Sequence, residues 1–215
     1  MHRRALVAAL ALTLAGGALS VAVGQPAGPS QDPAAAPAGD YVLDKNHASV
    51  VARIKHLGLS NFTIRFDNVD ASYSFDPKNP TASKVQATVD ANSWDVGTQK
   101  LKPDMTLNEH FIKERDILGN SKNPNVTFVS TSIKRTGGNK GVMDGDLTLN
   151  GITKPVSFDV TFNGTAPGMG GGAQRMGFSA EGVIKRTQFE VLKMLPPPMI
   201  GDDVTIHIEA EFTKK

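Results

Sequence analysis

The stretch Gly145-Asp146-Leu147-Thr148-Leu149-Asn150-Gly151-Ile152-Thr153-Lys154-Pro155-Val156-Ser157-Phe158-Asp159-Val160-Thr161-Phe162 decides the fold class. Asn150-Gly151 follows Leu147-Thr148-Leu149, and Asn-Gly is the strongest short-range hairpin signal because both residues tolerate positive φ. After the turn, Val156, Phe158, Val160 and Phe162 alternate with Ser157, Asp159 and Thr161. Period two with one wet face is the mark of an antiparallel strand packed on one side only.

The same alternation recurs in both directions along the chain. Upstream lie Val50, Ala52, Ile54 and His56, then Phe62, Ile64 and Phe66, then Val69, Ala71, Tyr73 and Phe75. Val85, Ala87, Val89 and Ala91 follow, and then Val126, Phe128 and Ser130. Downstream are Phe178, Ala180, Gly182 and Ile184, and finally Val204, Ile206, Ile208, Ala210 and Phe212. With turn signals at Asp76-Pro77 and Thr136-Gly137-Gly138-Asn139, this predicts about eight long strands in an all-β antiparallel barrel. Ile54, Phe66, Val89, Phe128, Phe158, Phe178 and Ile206 are expected on its inner face.

One segment breaks the pattern. Thr106-Leu107-Asn108-Glu109 has the form of a capping box, and Leu107, Phe111 and Ile112 follow helical spacing. A short helix from about Thr106 to Arg115 is expected between strands. Two loops also stand out: Pro167 to Ala173, rich in glycine, and Met194 to Ile200, apolar and stiffened by three prolines. The second either covers an opening or folds onto the barrel's own core.

The N-terminus reads as an export signal over residues 1–24. Arg3 and Arg4 precede an uncharged run, Ala5 to Val23, that ends in small residues. An uncleaved membrane anchor is the alternative. Residues 25–39, almost wholly Pro, Ala, Gly, Gln and Ser, read as a flexible linker. A single barrel domain is expected over residues 40–215, in the periplasm or secreted.

Composition narrows the function. The chain has no cysteine, which excludes disulfides and thiolate metal sites. It carries 23 Lys+Arg against 21 Asp+Glu, and without Arg3 and Arg4 the charges balance. A nucleic-acid partner therefore has no electrostatic footprint. A membrane barrel would show aromatic girdles, but the 10 Phe sit mostly mid-strand and there are only 2 Tyr and 1 Trp. Nucleophile elbow, phosphate loop, zinc-helix and EF-hand motifs are absent. The histidines match no metal spacing, so no metal, cofactor or catalytic residue is assigned. Asp144 and Asp146 fall on an outward face.

An eight-stranded barrel is just wide enough to fill with side chains or to hold one small ligand. Small residues on the inner face, among them Ala52, Ala71, Ala87, Ala180 and Ala210, leave volume for one.

An ordered set of short motifs then points further. It comprises Tyr41-Val42-Leu43-Asp44 with His47, His56-Leu57-Gly58, His110-Phe111, Asn123-Pro124, Gly145 to Val156, Lys185-Arg186-Thr187-Gln188-Phe189 and Gly201-Asp202-Asp203-Val204. In these the chain resembles the YceI-like, polyisoprenoid-binding family, whose fold is a lipocalin-like barrel. The resemblance runs from about Tyr41 to Phe212. It departs at Ala52, where Phe is usual, at Glu190, where Gly is usual, and in a longer stretch from Glu114 to Asn120.

The resemblance implies a polyprenyl chain or isoprenoid quinone in the lumen, held for storage, transport or protection. The lumen residues expected to contact it are Ala52, Ile54, His56, Phe66, Ala87, Val89, Leu107, Phe111, Phe128, Phe158, Phe178, Ala180, Arg186 and Phe189. Partner readings are an isoprenoid or other long apolar lipid, transient membrane contact and a homodimer. Two alternatives stand beside a carrier: an enzyme acting on the bound chain through His56, His47 or Arg186, and a packed structural or stress barrel without ligand.

Overall fold

The computed structural model describes residues 28–111, 117–119 and 121–215. The expected export signal, residues 1–24, lies outside them. The strands are β1 (Gly39–His56), β2 (Ser60–Phe66), β3 (Val69–Phe75), β4 (Lys84–Asp90), β5 (Trp94–Asp95), β6 (Lys100–Lys102) and β7 (Met105–Thr106). The helix α1 (Leu107–Glu109) follows, then β8 (Asn125–Gly137), β9 (Lys140–Leu149), β10 (Ile152–Gly168), β11 (Gly172–Lys185) and β12 (Ile200–Lys214).

Ten of the strands form one antiparallel sheet, and β12 pairs back onto β1 to close it. The closed ring has eight positions. β2 and β3 are two halves of one bent strand: Val50 of β1 faces Phe66, and Val42 faces Ser72. β5 is a short addition at the rim, pairing Trp94 with Phe66. Closure removes the unpaired edges of an open sheet. The eight-stranded barrel expected from alternation is therefore what the chain forms.

Local chemistry explains the register. Asn150 and Gly151 have φ of 53° and 73°, the double positive φ of a type I′ turn, and Leu149 pairs directly with Ile152. A one-residue slip here would turn Phe158 and Phe162 outward. In β1, Leu43 faces Phe212 and Ala48 faces Ala210, so Asp44 to His47 loop out as a bulge.

Two apolar clusters occupy the ends of the barrel. At the base, Tyr41, Leu43, Tyr73, Phe75, Phe162, Met176 and Phe212 pack with Ala36. At the top, Phe128, Leu147, Leu149, Phe158, Ala180, Ile184, Phe189 and Val191 pack together.

One expectation needs adjustment. From Gly28 onward, the stretch read as a linker is docked. Ser30 and Thr165 exchange backbone hydrogen bonds of 2.9 and 2.8 Å, Pro33–Ala35 form a 3₁₀ turn, and Ala36 is buried. Composition hid this because the segment binds through backbone groups and one small side chain rather than through an apolar stripe. The expected helix does begin at the Thr106 capping box, with Thr106 Oγ1 accepting from the Glu109 N–H and the Glu109 carboxylate from the Thr106 N–H. Its expected end at Arg115 lies outside the described residues. The glycine-rich loop is a tight 3₁₀ turn, Met169–Gly171, joining β10 to β11.

Candidate functional site: the barrel lumen

Inward side chains of the barrel strands wall a cavity of about 1260 Å³. β1 contributes Ala48, Val50, Ala52, Ile54 and His56, and β2 contributes Phe62, Ile64 and Phe66. Ala71 and Tyr73 come from β3, Ala87 and Val89 from β4, and Val126 and Phe128 from β8. Met143 and Leu147 of β9, Phe158 and Val160 of β10, Phe178 and Ala180 of β11, and Ile206 and Ile208 of β12 also line it. The volume exceeds that of a typical drug-sized pocket, and the lining is overwhelmingly apolar.

The cavity has distinct ends. Its base rests on rings: Tyr73 lies 5.4 Å from Phe178, 5.8 Å from Phe212 and 5.7 Å from Phe75, centroid to centroid. The Tyr73 hydroxyl is 3.4 Å from Ser83 Oγ, and burial pushes its pKa up to about 12, so it stays neutral. On the other side of the base the wall turns basic, with Lys134, Arg135 and Lys140 at the β8–β9 hairpin.

The top is covered by the segment between β4 and β8. Trp94, Leu107, His110 and Phe111 line the lumen there, with Phe111 edge-on to both Phe62 and Trp94. Asn108 fixes this cover by accepting from the Val96 N–H and donating to Asp95. Among the described residues, Trp94 Nε1 is buried without a hydrogen-bond partner. Opposite, residues 190–200 form the other lip. Leu59 and Met194 are 85% and 90% exposed at this end, and the Leu57 N–H bonds the Met199 carbonyl.

Arg186 holds that lip. It is 1% exposed, and its guanidinium donates to five backbone carbonyls: Gly201 (2.8 Å), Val191 (2.9 Å), Leu192 (2.5 Å), Leu195 (2.6 Å) and Ile200 (2.9 Å). All five N–H donors of the fork are thereby used. Arg186, expected from the resemblance as a ligand contact, stands at the rim of the lumen, but its polar atoms organise the loop.

Thirteen of the fourteen lumen residues expected from sequence line this cavity: Ala52, Ile54, His56, Phe66, Ala87, Val89, Leu107, Phe111, Phe128, Phe158, Phe178, Ala180 and Arg186. Phe189 does not. It is 1% exposed inside the top cluster, beneath the loop rather than on the wall. The groups named for an enzyme are not brought together. His56 lines the top of the lumen, while His47 lies outside, in the bulge near the base, bonded to Asp44 at 3.0 Å. The cavity also takes in Phe62, Ile64 and Tyr73, which alternation places on the inner face but which are not among the expected ligand contacts, and Trp94 and His110, which lie where alternation fails.

Asp44, His47 and Glu211 are close enough to suggest a cation site, but Arg175 Nη1 already sits among them, 2.6 Å from Asp44 and 3.1 Å from Glu211. A cation would have to displace a guanidinium.

Fold and lumen together define a lipocalin-like container: a closed antiparallel barrel around an apolar cavity, with a covered top and an aromatic floor. The YceI-like domain matches residues 41–212, and the chain belongs to that family. It is 40% identical over 174 residues to Protein YceI of Escherichia coli O157:H7, covering 80% of this chain and 86% of the relative. BcnA of Burkholderia cenocepacia superposes with a TM-score of 0.67 at 26% identity, over 79% of this chain and 98% of BcnA. A polyisoprenoid-binding domain from Saccharophagus degradans shares the fold, with a TM-score of 0.58 at 16% identity, over 81% of this chain and 98% of that domain.

Proposed function

We propose that this protein binds an isoprenoid lipid, a polyprenyl chain or an isoprenoid quinone, in the barrel lumen, and that it stores, carries or shields that lipid after export to the periplasm or beyond. The observation that carries the reading is the 1260 Å³ cavity walled by apolar side chains from around the barrel. A packed structural barrel would have filled that space, since protein interiors leave few voids larger than a water molecule. The Saccharophagus domain of the same fold, described as polyisoprenoid-binding, supports the choice of ligand class.

The energetics suit a binding role. Burying roughly 400 Å² of apolar ligand surface at about 25 cal/mol per Å² is worth about 10 kcal/mol before association costs. No catalytic group is needed for that, and the reading assigns none.

Native mass spectrometry of protein purified from its own host is the direct test. A bound mass of several hundred daltons, extractable into organic solvent and carrying prenyl fragments, is the expected result. Protein that is empty from its own host and that also fails to take up added prenols overturns the reading.

A further inference from the structure

We infer that the base of the lumen is a ruler: the Tyr73–Phe178–Phe212 floor, with the alanines standing on it, sets how long an apolar chain the barrel accepts. The inference rests on the lipid-binding reading above and adds what selects among lipids.

The floor is continuous. Tyr73 stacks or edges against Tyr41, Phe75, Phe178 and Phe212, and Phe178 touches Phe162 and Phe212 in turn. It is braced from below. The Tyr41 hydroxyl donates to the Pro37 carbonyl at 2.6 Å, Ala36 is packed into the same cluster, and Ser30 is zipped to Thr165. A chain end descending the lumen meets rings it cannot part without opening this cluster.

Directly above the floor the wall is unusually small. Ala71 and Ala87 are paired across β3 and β4, and Ala48 and Ala210 across β1 and β12. Ala48, Ala71 and Ala210 pack on the floor cluster. The two alanine pairs lie on four consecutive strands, β12, β1, β3 and β4, and leave a slot along that side of the wall where other inward positions would project a larger side chain; the slot ends on the rings. The remaining direction at this depth leads toward Lys134, Arg135 and Lys140. A hydrocarbon tail gains nothing by leaving apolar wall for cations, so the slot is where the tail stops.

The opposite limit is the top, where His56 and His110 stand in the wall. From Ala48 to His56 the strand rises about 26 Å at ~3.3 Å per residue, or about 20 Å along a barrel axis tilted ~40° from the strands. Lipid length beyond that span has to fold back in the lumen or protrude from the top.

The test is competition between two prenols of different length. Purified protein is incubated with an equimolar mixture of farnesol and solanesol, and retained ligand is quantified by mass spectrometry. Ala71→Phe fills the slot and is expected to shift the retained ratio toward farnesol. Phe178→Ala opens the floor and is expected to shift it toward solanesol. Each shift should be about tenfold, the effect of denying or adding roughly 55 Å² of apolar contact. Val183→Ala, on the outer surface, should leave the ratio unchanged. Should Phe178→Ala fold poorly, Phe178→Leu gives the same direction with a smaller step. Variants that bind both prenols at the wild-type ratio overturn the ruler while leaving lipid binding intact. Wild-type protein that retains neither prenol overturns the lipid reading and the ruler with it.

Discussion

Arg175 Nη1 lies 2.6 Å from Asp44 Oδ2, tying the bulge of β1 to the outer face of β11. The Asp44 side chain is 13% exposed and also accepts from His47. The hydrogen bond from His47 and then that from Arg175 hold its pKa at about 2, below the ordinary 3.8. A carboxyl with a depressed folded-state pKa stabilises the fold above its unfolded pKa, and the contribution is lost as pH falls through the folded value. Stability should therefore fall between about pH 4 and pH 2. Allowing for solvent screening at the 38% exposed Arg175, the loss is about 1–2 kcal/mol. Asp44→Asn should remove that step in urea melts across this window; an unchanged acid slope would show that the pair contributes little.

Arg186 should matter far more. Its five carbonyl partners lie between Val191 and Gly201, on the loop and at the start of β12, and of them Leu192 O also accepts from the Leu195 N–H at 2.9 Å. Arg186→Met takes five donors away from these carbonyls, and Arg186→Lys offers at most three donors in the wrong geometry. A cost of about 3–5 kcal/mol is expected for the first, less for the second. Denaturant midpoints measure the cost, and protease cleavage between Leu192 and Met199 reports whether the loop has come loose. Wild-type resistance in Arg186→Met would disprove the clasp.

Glu190 stands where the family usually has Gly, and the structure shows why Gly is favoured there. It closes the 3₁₀ turn Arg186–Phe189 with φ of 59°, in the left-handed region. Its only described ion pair, to Lys193 at 3.0 Å, is more than half exposed and worth little. Glu190→Gly should thus raise stability by about 0.5–1 kcal/mol, the relief of strain less the added chain entropy. A fall in melting temperature would mean the Glu190–Lys193 pair outweighs the backbone term.

These cases show what alternation could and could not reveal. Phe128, Phe158 and Phe178 were legible because period two fixes the face, and Asn150-Gly151 fixed the register between β9 and β10. Arg186 reads in sequence as a lumen contact, or as a candidate group for chemistry on the bound chain. Nothing local says that its fork will meet carbonyls from Val191 to Gly201. Phe189 reads as one more apolar wall residue, yet it sits on a 3₁₀ turn, where period two gives no direction. Trp94 lies on a two-residue strand with no pattern to read. The docking of Ser30 on Thr165 is a backbone pairing between distant parts of the chain, which side-chain composition does not encode.

Ala52 and Ala180 separate lumen from core. Both line the cavity and both sit mid-strand on apolar faces. Ala52 is half-buried, between Ile64 of β2 and Ile206 of β12, where the family usually places Phe. Ala180 is buried, between Val160 and Ile208, inside the cluster that holds Phe158. A ring at Ala52 has open lumen to enter. Ala52→Phe should leave the ligand-free melting temperature nearly unchanged and weaken prenol binding, because the ring occupies ligand volume. A ring at Ala180 meets packed neighbours, so Ala180→Phe should overpack the wall and cost about 1–3 kcal/mol of stability. Thermal melts of ligand-free protein and titration with a fluorescent polyprenyl analogue read both effects. If Ala52→Phe destabilises as much as Ala180→Phe and leaves binding untouched, the ligand does not run past Ala52.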